Sequence, residues 1–300
     1  GFFSGLSAPL GRAAVLNYTG GNVQLQFGPI NLVTSTLDSG PGTLRQVITD
    51  LNACTIPNAD VDFDFGVGGG VINALTALPA ITCPMNIRGD TNPGASLNSS
   101  PNDWNAVLKV SLNQVVSCSG CDGGLTVSAA NVKIVGINFT NWNKGIRVLP
   151  GADNVVIVGN YFFQGIIGVA HEGGNNALIG DNANPSGRNI FVHATGAGVQ
   201  SAYGGVSIPQ IKNNLIGLGA SAVAGLNAKG IHFTGTSGGS LQNNVIANNT
   251  KGIVVSAATT GVDYATNNKI FANGIAVDLS DDGLTGNDDS VFPYDTDNGG

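Results

Sequence analysis

The sequence contains few charged residues and almost no glutamate or methionine. Charged residues make up 10% of the 300 residues, against about 25% in an ordinary globular protein. Glutamate occurs once, as Glu172, and methionine also occurs once. Helical bundles and coiled coils need many alanine, leucine, glutamate and lysine residues. Both classes are therefore excluded.

The sequence also lacks a basic run and a long apolar run. The formal net charge is −7 and the isoelectric point is about 4.6. Without a basic patch, nucleic acid is not an expected partner. No stretch of 18 apolar residues occurs, so we predict no membrane span in this segment.

Disordered and collagen-like chains are excluded as well. Disorder requires low hydrophobicity with high net charge, but 42% of the residues are hydrophobic and the mean hydropathy is +0.17. Glycine occurs 45 times, yet not at every third position, as collagen requires. The remaining class is a β protein rich in glycine and asparagine, and 300 residues are enough to form a large core.

Four cysteines are present, at positions 54, 83, 118 and 121. Cys118 and Cys121 have the C-x-x-C spacing, but a zinc site would need two further ligands, and no histidine lies nearby in the sequence. We therefore predict the disulfides Cys54–Cys83 and Cys118–Cys121, with a metal or redox role as the alternative. Disulfides predict a location outside the cytosol.

Two short patterns recur along the chain. In one, asparagine precedes a group of aliphatic residues, and it begins at Asn131, Asn154, Asn176, Asn189, Asn214, Asn244 and Asn268. The other is glycine–aliphatic–x–aliphatic, and it begins at Gly145, Gly165, Gly205, Gly230, Gly252 and Gly274. Their spacing indicates a repeat of about 22 residues.

A repeat of this length with short strands predicts a parallel β-solenoid. Aliphatic residues at i and i+2 lie on one face of a strand, and three short strands can close one coil. Glycine suits corners with positive φ or close backbone approach. Asparagine tolerates left-handed backbone and can form ladders between coils at an inward turn. A β-sandwich is the alternative, although it would show longer strands without a fixed period.

The segment 43–52 predicts a short helix that caps the N-terminal end of the solenoid. Thr43 and Gln46 have the spacing of a capping box. Leu44, Val47, Ile48 and Leu51 have the spacing of one apolar helix face. We interpret Trp104 and Trp142 as packing residues.

Several segments resemble secreted bacterial proteins with right-handed parallel β-helix repeats. Residues 33–46 resemble their "DSGPGSLRQAI" opening, residues 78–94 resemble an "LPxI…vtIdGtTQPG" stretch, and residues 274–288 resemble their closing coil. Residues 18–25 are similar to the end of repeats in autotransporter-like passengers. The resemblance implies a right-handed β-helix in exported surface proteins of the adhesin type, and it implies little about activity.

This organisation predicts three parts. Residues 1–30 are expected to be the tail of a preceding repeat unit or an N-terminal extension. Residues 31–280 form the parallel β-helix. Residues 281–300 form an Asp-rich last coil or the start of the next unit.

Catalytic chemistry has little support in the sequence. Glycosidases need two carboxylates on one face, but Asp122, Asp153, Glu172 and Asp181 do not share a phase of the repeat. Lys144 and Arg147 offer the basic groups of a lyase without an acidic cluster in phase. The three histidines, His171, His193 and His232, are expected at the surface.

The densest charge lies at the C-terminal end of the sequence. Oxygen-rich loops of this kind suit Ca²⁺, and the alternative is a solvated acidic end. The candidate ligands are Asp281, Asp282, Asp288, Asp289, Asp295 and Asp297, with Asp278 beside them.

These observations favour a non-catalytic extracellular or cell-surface module with a structural or adhesive role. Its neutral faces suit association with other copies of itself or with surface glycans. The alternative is a polysaccharide lyase or glycoside hydrolase that acts on an extracellular glycan.

Overall fold

The computed structural model describes residues 14–19, 22–27, 31–202, 209–235, 238–263 and 267–283. In this part the protein is all-β, with two sheets of parallel strands, one antiparallel hairpin, one α-helix and three 3₁₀ turns. None of these helices is long and apolar enough to cross a membrane.

The elements are short and follow one another closely. The strands are β1 Ala14–Thr19, β2 Asn22–Phe27, β3 Leu32–Val33, β4 Ala59–Phe63, β5 Gly70–Thr76, β6 Met85–Arg88, β7 Val110–Ser119, β8 Gly123–Val127, β9 Lys133–Val135, β10 Ile137–Val148, β11 Val156–Val158, β12 Tyr161–His171, β13 Leu178–Ile179, β14 Ile190–Ser201, β15 Gln210–Lys212, β16 Leu215–Ile216, β17 Lys229–Phe233, β18 Ser240–Gln242, β19 Val245–Ala247, β20 Lys251–Val255, β21 Lys269–Phe271 and β22 Ile275–Leu279. The helix α1 is Leu44–Leu51, and the 3₁₀ turns are Gly89–Thr91, Pro185–Gly187 and Ala220–Ala222.

The chain alternates between the two parallel sheets. The eight-stranded sheet has the order β18-β15-β13-β11-β9-β6-β4-β3, and the main path of the twelve-stranded sheet is β21-β19-β16-β14-β12-β10-β7-β5. From β9 to β15, each strand of one sheet is followed by a strand of the other. This parallel pairing excludes the antiparallel β-sandwich for the described residues.

The twelve-stranded sheet has two branches because β10, β12 and β14 are long. The first half of β10 pairs with β7 and its second half with β8, while the first half of β14 pairs with β16 and its second half with β17. β12 lies between β10 and β14 and pairs with both of them. The second branch continues through β20 to β22. Each long strand therefore contributes to two rows of neighbouring strands.

The core consists of aligned apolar side chains. In-register pairing places one buried aliphatic residue from each of six neighbouring strands in a row, namely Ile87, Ile134, Ile157, Ile179, Ile211 and Leu241. The twelve-stranded sheet forms a second row with Leu112, Phe139, Phe162, Phe191, Ile216 and Ile246. Burying each such side chain stabilises the fold by about 1.5–3 kcal/mol.

Asparagines form two ladders beside this core, and all of them are buried except the half-buried Asn268 and Asn273 at the ends. In the longer ladder the Nδ2 atom of each residue donates to the Oδ1 atom of the next, at 3.0–3.3 Å, along Asn160, Asn189, Asn214, Asn244 and Asn268. A shorter ladder has distances of 2.8 and 2.9 Å and contains Asn227, Asn249 and Asn273. The predicted inward asparagine ladder is therefore confirmed.

The repeat length is not fixed at 22 residues. Asn227 and Asn249 are 22 residues apart, but Asn214 and Asn244 are 30 residues apart. The expectation of one constant period is therefore wrong. Loops of different length leave and rejoin the strands, and the ladder and the aliphatic rows preserve the register across them.

The predicted helix is confirmed. The Thr43 hydroxyl accepts a hydrogen bond from the Gln46 N–H at 3.2 Å and forms the N-cap. The apolar face of α1 is buried in the same cluster as β3 and β4. Before it, β1 and β2 pair as an antiparallel hairpin, and their assignment to a preceding unit stays a prediction.

The cysteine pairs and the tryptophans also match the sequence analysis. Cys54 pairs with Cys83, and Cys118 pairs with Cys121. Trp142 is 1% exposed, and its indole N–H donates to the Leu112 carbonyl at 2.8 Å. Trp104 is buried in a second apolar cluster. Both tryptophans are packing residues.

Candidate functional site

A cluster of four charged residues lies on the second branch of the twelve-stranded sheet. The Lys144 Nζ atom lies 2.8 Å from an Asp122 carboxylate oxygen and 3.0 Å from a Glu172 carboxylate oxygen. Arg147 contacts the same two carboxylates, at 3.3 and 2.7 Å. We call these four residues the first charge cluster.

Neighbouring strands position this cluster. Lys144 and Arg147 belong to β10, which pairs with β8 on one side and β12 on the other. Asp122 directly precedes β8 and Glu172 directly follows β12, so the two acids approach the basic residues from opposite sides. The expectation that no acidic cluster accompanies these basic residues is wrong. The sequence pattern describes residues within the strands, and both acids lie just outside a strand.

The other two acids of the sequence analysis do not join this cluster. The Asp153 carboxylate accepts hydrogen bonds from the backbone N–H and the side-chain amide of Asn175, at 2.7 and 3.0 Å. The Asp181 carboxylate accepts from the Ala183 N–H at 2.9 Å. Asp153 therefore links two segments 22 residues apart, and Asp181 stabilises a local turn.

The carboxylates of Asp122 and Glu172 are close enough to be compared with a catalytic pair. Since both oxygens contact the same Nζ atom, they are at most about 6 Å apart, near the separation of about 5–5.5 Å in retaining glycosidases. Burial disfavours the Lys144 ammonium, but its hydrogen bonds to Asp122 and Glu172 outweigh burial and raise its pKa above the ordinary 10.5. Lys144 is therefore protonated and unsuited to act as a base near neutral pH.

A second charge cluster lies further along the same branch, on β17, β20, β22 and the turn that follows β22. Lys229 contacts Asp281 at 2.5 Å, and Lys251 contacts Asp278 and Asp281 at 2.6 and 2.7 Å. His232 lies 3.9 Å from Asp281. These five residues form the second charge cluster.

Two histidines are buried, contrary to the expectation from the sequence. His171 is fully buried, and its ring contacts the Gly174 carbonyl at 3.1 Å and the Ser201 hydroxyl at 3.3 Å. His232 is 8% exposed because the cluster covers it. His193 is exposed as expected. His232 lies between Ile231 and Phe233, and alternation along the strand predicts that its side chain points outward. The same alternation does not predict that charged side chains of neighbouring strands cover it.

Two groups in the second charge cluster, His232 and Asp281, have strongly shifted pKa values. Burial, followed by the nearby Lys229 ammonium, lowers the pKa of His232 from 6.5 to about 4. Burial opposes ionisation of Asp281, but hydrogen bonds from Lys229 and Lys251 lower its pKa to about 2. His232 is therefore neutral and Asp281 is ionised over the ordinary working range.

Two of the six candidate calcium ligands, Asp281 and Asp282, lie among the described residues. Asp281 is engaged by two lysines, and Asp282 lies beside it in the turn after β22. Asp288, Asp289, Asp295 and Asp297 lie outside the described residues. Within the described ranges, no group of three or more histidine, cysteine or acidic side chains is arranged to hold a metal ion. The calcium site stays a prediction.

The buried His232 predicts acid-sensitive stability. Because the unfolded chain takes up a proton that the folded chain refuses between pH 6.5 and 4, the free energy of unfolding should fall by on the order of 2–3 kcal/mol across that window. Urea unfolding at pH 7, 5.5 and 4.5 measures the loss. His232→Gln should remove this part of the pH dependence, and His193→Gln, at an exposed site, should leave it unchanged. A wild-type protein equally stable at pH 7 and 4.5 would contradict the prediction.

Comparisons with known proteins assign no family. A scan against models of protein families found no match, and neither did a search of curated proteins. Functional inference for this protein therefore rests on its residues and their geometry.

Proposed function

We propose that this chain is a non-catalytic extracellular module with a structural or adhesive role, built as a right-handed parallel β-helix. Alternation between two parallel sheets, aligned rows of buried side chains and the ladders of asparagines support this architecture. Parallel connections in proteins are right-handed in nearly all cases. The two cysteine pairs favour an extracellular or cell-surface location.

The observation that carries the non-catalytic role is that both charge clusters are closed by ion pairs. A general acid or base works best with a pKa near the working pH. Here the pKa of Lys144 is raised, while those of His232 and Asp281 move down to about 4 and 2. All three shifts move the pKa further from pH 7. The clusters therefore suit positioning of the strands and neutralisation of the surface.

One specific observation favours the alternative, a polysaccharide lyase or glycoside hydrolase. Asp122 and Glu172 face the same lysine from two sides, as a catalytic carboxylate pair would face a sugar. A substrate would have to break four short contacts among these residues before it reached either carboxylate.

An activity assay distinguishes the two functions. We expect the wild-type protein to release neither reducing ends nor unsaturated products from a panel of neutral and acidic extracellular glycans. Glu172→Gln and the control Asp153→Asn should behave like the wild type. Turnover by the wild type that falls about 10²–10⁴-fold in Glu172→Gln, the usual loss on removing a general acid or base, and persists in Asp153→Asn would overturn the proposal.

A further inference from the structure

Arg188 lies in the sequence between the turn Pro185–Gly187 and strand β14, and it is buried. Its side chain reaches a loop distant in sequence, where Nη1 donates to the Asp103 carbonyl at 2.9 Å and Nη2 donates to the Pro101 carbonyl at 2.7 Å. Nη2 and Nε also donate to the Asn213 Oδ1 atom, at 2.8 and 3.3 Å. Only 6% of the residue is exposed.

All of these acceptors are neutral, which sets Arg188 apart from the other arginines. In the described part of the chain, Arg45, Arg88 and Arg147 each have a carboxylate within 4 Å, and Arg188 has none. Buried charges in proteins are normally paired, because an uncompensated buried charge is costly. A guanidinium has five N–H donors, so one N–H of Nη1 is left over from the four contacts.

Arg188 also lines a cavity of about 480 Å³. The exposed Lys269 also lines it, and none of its lining residues is acidic, although the chain carries a net charge of −7. The cavity is therefore locally positive on an acidic protein. Two positive side chains in a cavity wall without a carboxylate suit an anionic ligand.

Asparagine side chains form much of the remaining wall. Asn213, Asn243 and Asn267 have left-handed backbone, with φ of 55°, 56° and 69°, and each directly precedes a residue of the buried ladder. The side-chain amides of Asn182, Asn243 and Asn267 make no hydrogen bond to the described part of the protein. Such amides offer both donors and acceptors for hydroxyl groups.

We propose that this cavity binds an acidic saccharide, with the carboxylate of a uronic acid directed at Arg188 and Lys269 and its hydroxyl groups at the asparagine amides. The ligand would place a carboxylate in direct contact with Arg188, whereas the Asp103 carboxylate attracts the guanidinium without forming a salt bridge with it. This site rests on the adhesive part of the proposed function and adds a ligand class to it.

The test is calorimetric titration of the full chain with trigalacturonic acid, its methyl ester and sodium acetate. We expect the acid to bind, and we expect the neutral ester and acetate to bind at least about tenfold more weakly, since each loses charge-assisted contacts or hydroxyl contacts. Equal affinity for the acid and its ester would overturn the proposal. Equal affinity for acetate would show a general anion site and would overturn the proposal that the ligand is a saccharide.

Two variants separate the cavity from the rest of the surface. Lys269→Gln should weaken binding of the acid about tenfold, and Lys133→Gln, which removes an exposed lysine of the other parallel sheet, should leave it unchanged. Both positions are exposed, so folding should not be affected. Equal weakening in the two variants, or no binding by the wild type at millimolar concentration, would overturn the site. Binding followed by cleavage would instead overturn the non-catalytic role and leave the site in place.

Discussion

Replacing Asn214 by leucine is expected to lower the free energy of unfolding by about 4 kcal/mol. The Asn214 side chain is fully buried and donates to the Ile179 carbonyl at 2.9 Å and to Asn244 Oδ1 at 3.0 Å. It also accepts from the side-chain amide and the backbone N–H of Asn189. Leucine has a similar volume, but it would leave several buried groups without partners, each at a cost of about 1–3 kcal/mol. Urea unfolding at pH 7 measures the difference.

The matched control is the same substitution in an exposed asparagine ladder. Asn113 donates to Asn73 at 2.8 Å and accepts from Asn141 at 2.9 Å, so its side-chain contacts within the ladder resemble those of Asn214. Water can replace these contacts, and Asn113→Leu should cost less than about 1 kcal/mol. If the two variants lost the same stability, burial of the ladder would not be the cause.

The second large effect is expected for Phe191→Ala, at about 3–5 kcal/mol. The Phe191 ring is fully buried and stacks on Phe162, with ring centroids 4.7 Å apart and planes 4° apart. Truncation removes the ring from the middle of an aligned row and leaves a cavity. The neighbouring strands cannot move in to close this cavity, because their backbone hydrogen bonds fix their positions. Thermal and urea unfolding measure the loss.

Phe163→Ala is the control for this substitution. Phe163 lies on β12, is half-buried, and meets His193 edge to face at 5.4 Å. Because water already reaches this ring, its removal should cost only about 1 kcal/mol. A loss as large as that of Phe191→Ala would mean that the buried row does not dominate stability.

Glycines beside the phenylalanine row show how far the sequence pattern reaches. A Cβ atom on Gly168 would lie 2.6 Å from the Phe191 ring, and one on Gly145 would lie 2.7 Å from the Phe162 ring. The pattern predicted that these glycines either turn a corner or allow a close approach. Here φ is not in the left-handed region, so the reason is close approach, both by a backbone carbonyl of the neighbouring strand, 2.5–2.6 Å from the added Cβ atom, and by the phenylalanine ring.

The asparagine pattern in the sequence includes two kinds of asparagine, which occupy different places in the structure. Asn131, Asn154 and Asn176 have left-handed backbone and form an exposed ladder. Asn189 and Asn214 belong to the buried one. Both kinds precede aliphatic residues, so local sequence cannot distinguish them. The difference lies in whether the side chain points to the core or to solvent at that corner.

The sequence by itself determined the features that depend on neighbouring residues: short strands, the capped helix α1, the pairing of the cysteines and the exclusion of helical and disordered classes. Only the tertiary structure decided which charges meet, which histidines are covered, and that no carboxylate of the described residues forms a salt bridge with Arg188. The physical reason is register. Loops of variable length separate the strands, and contacts between residues 22 to 87 positions apart arise only when the strands align. Asp122 and Glu172 meet Lys144 for this reason, although no local pattern relates them.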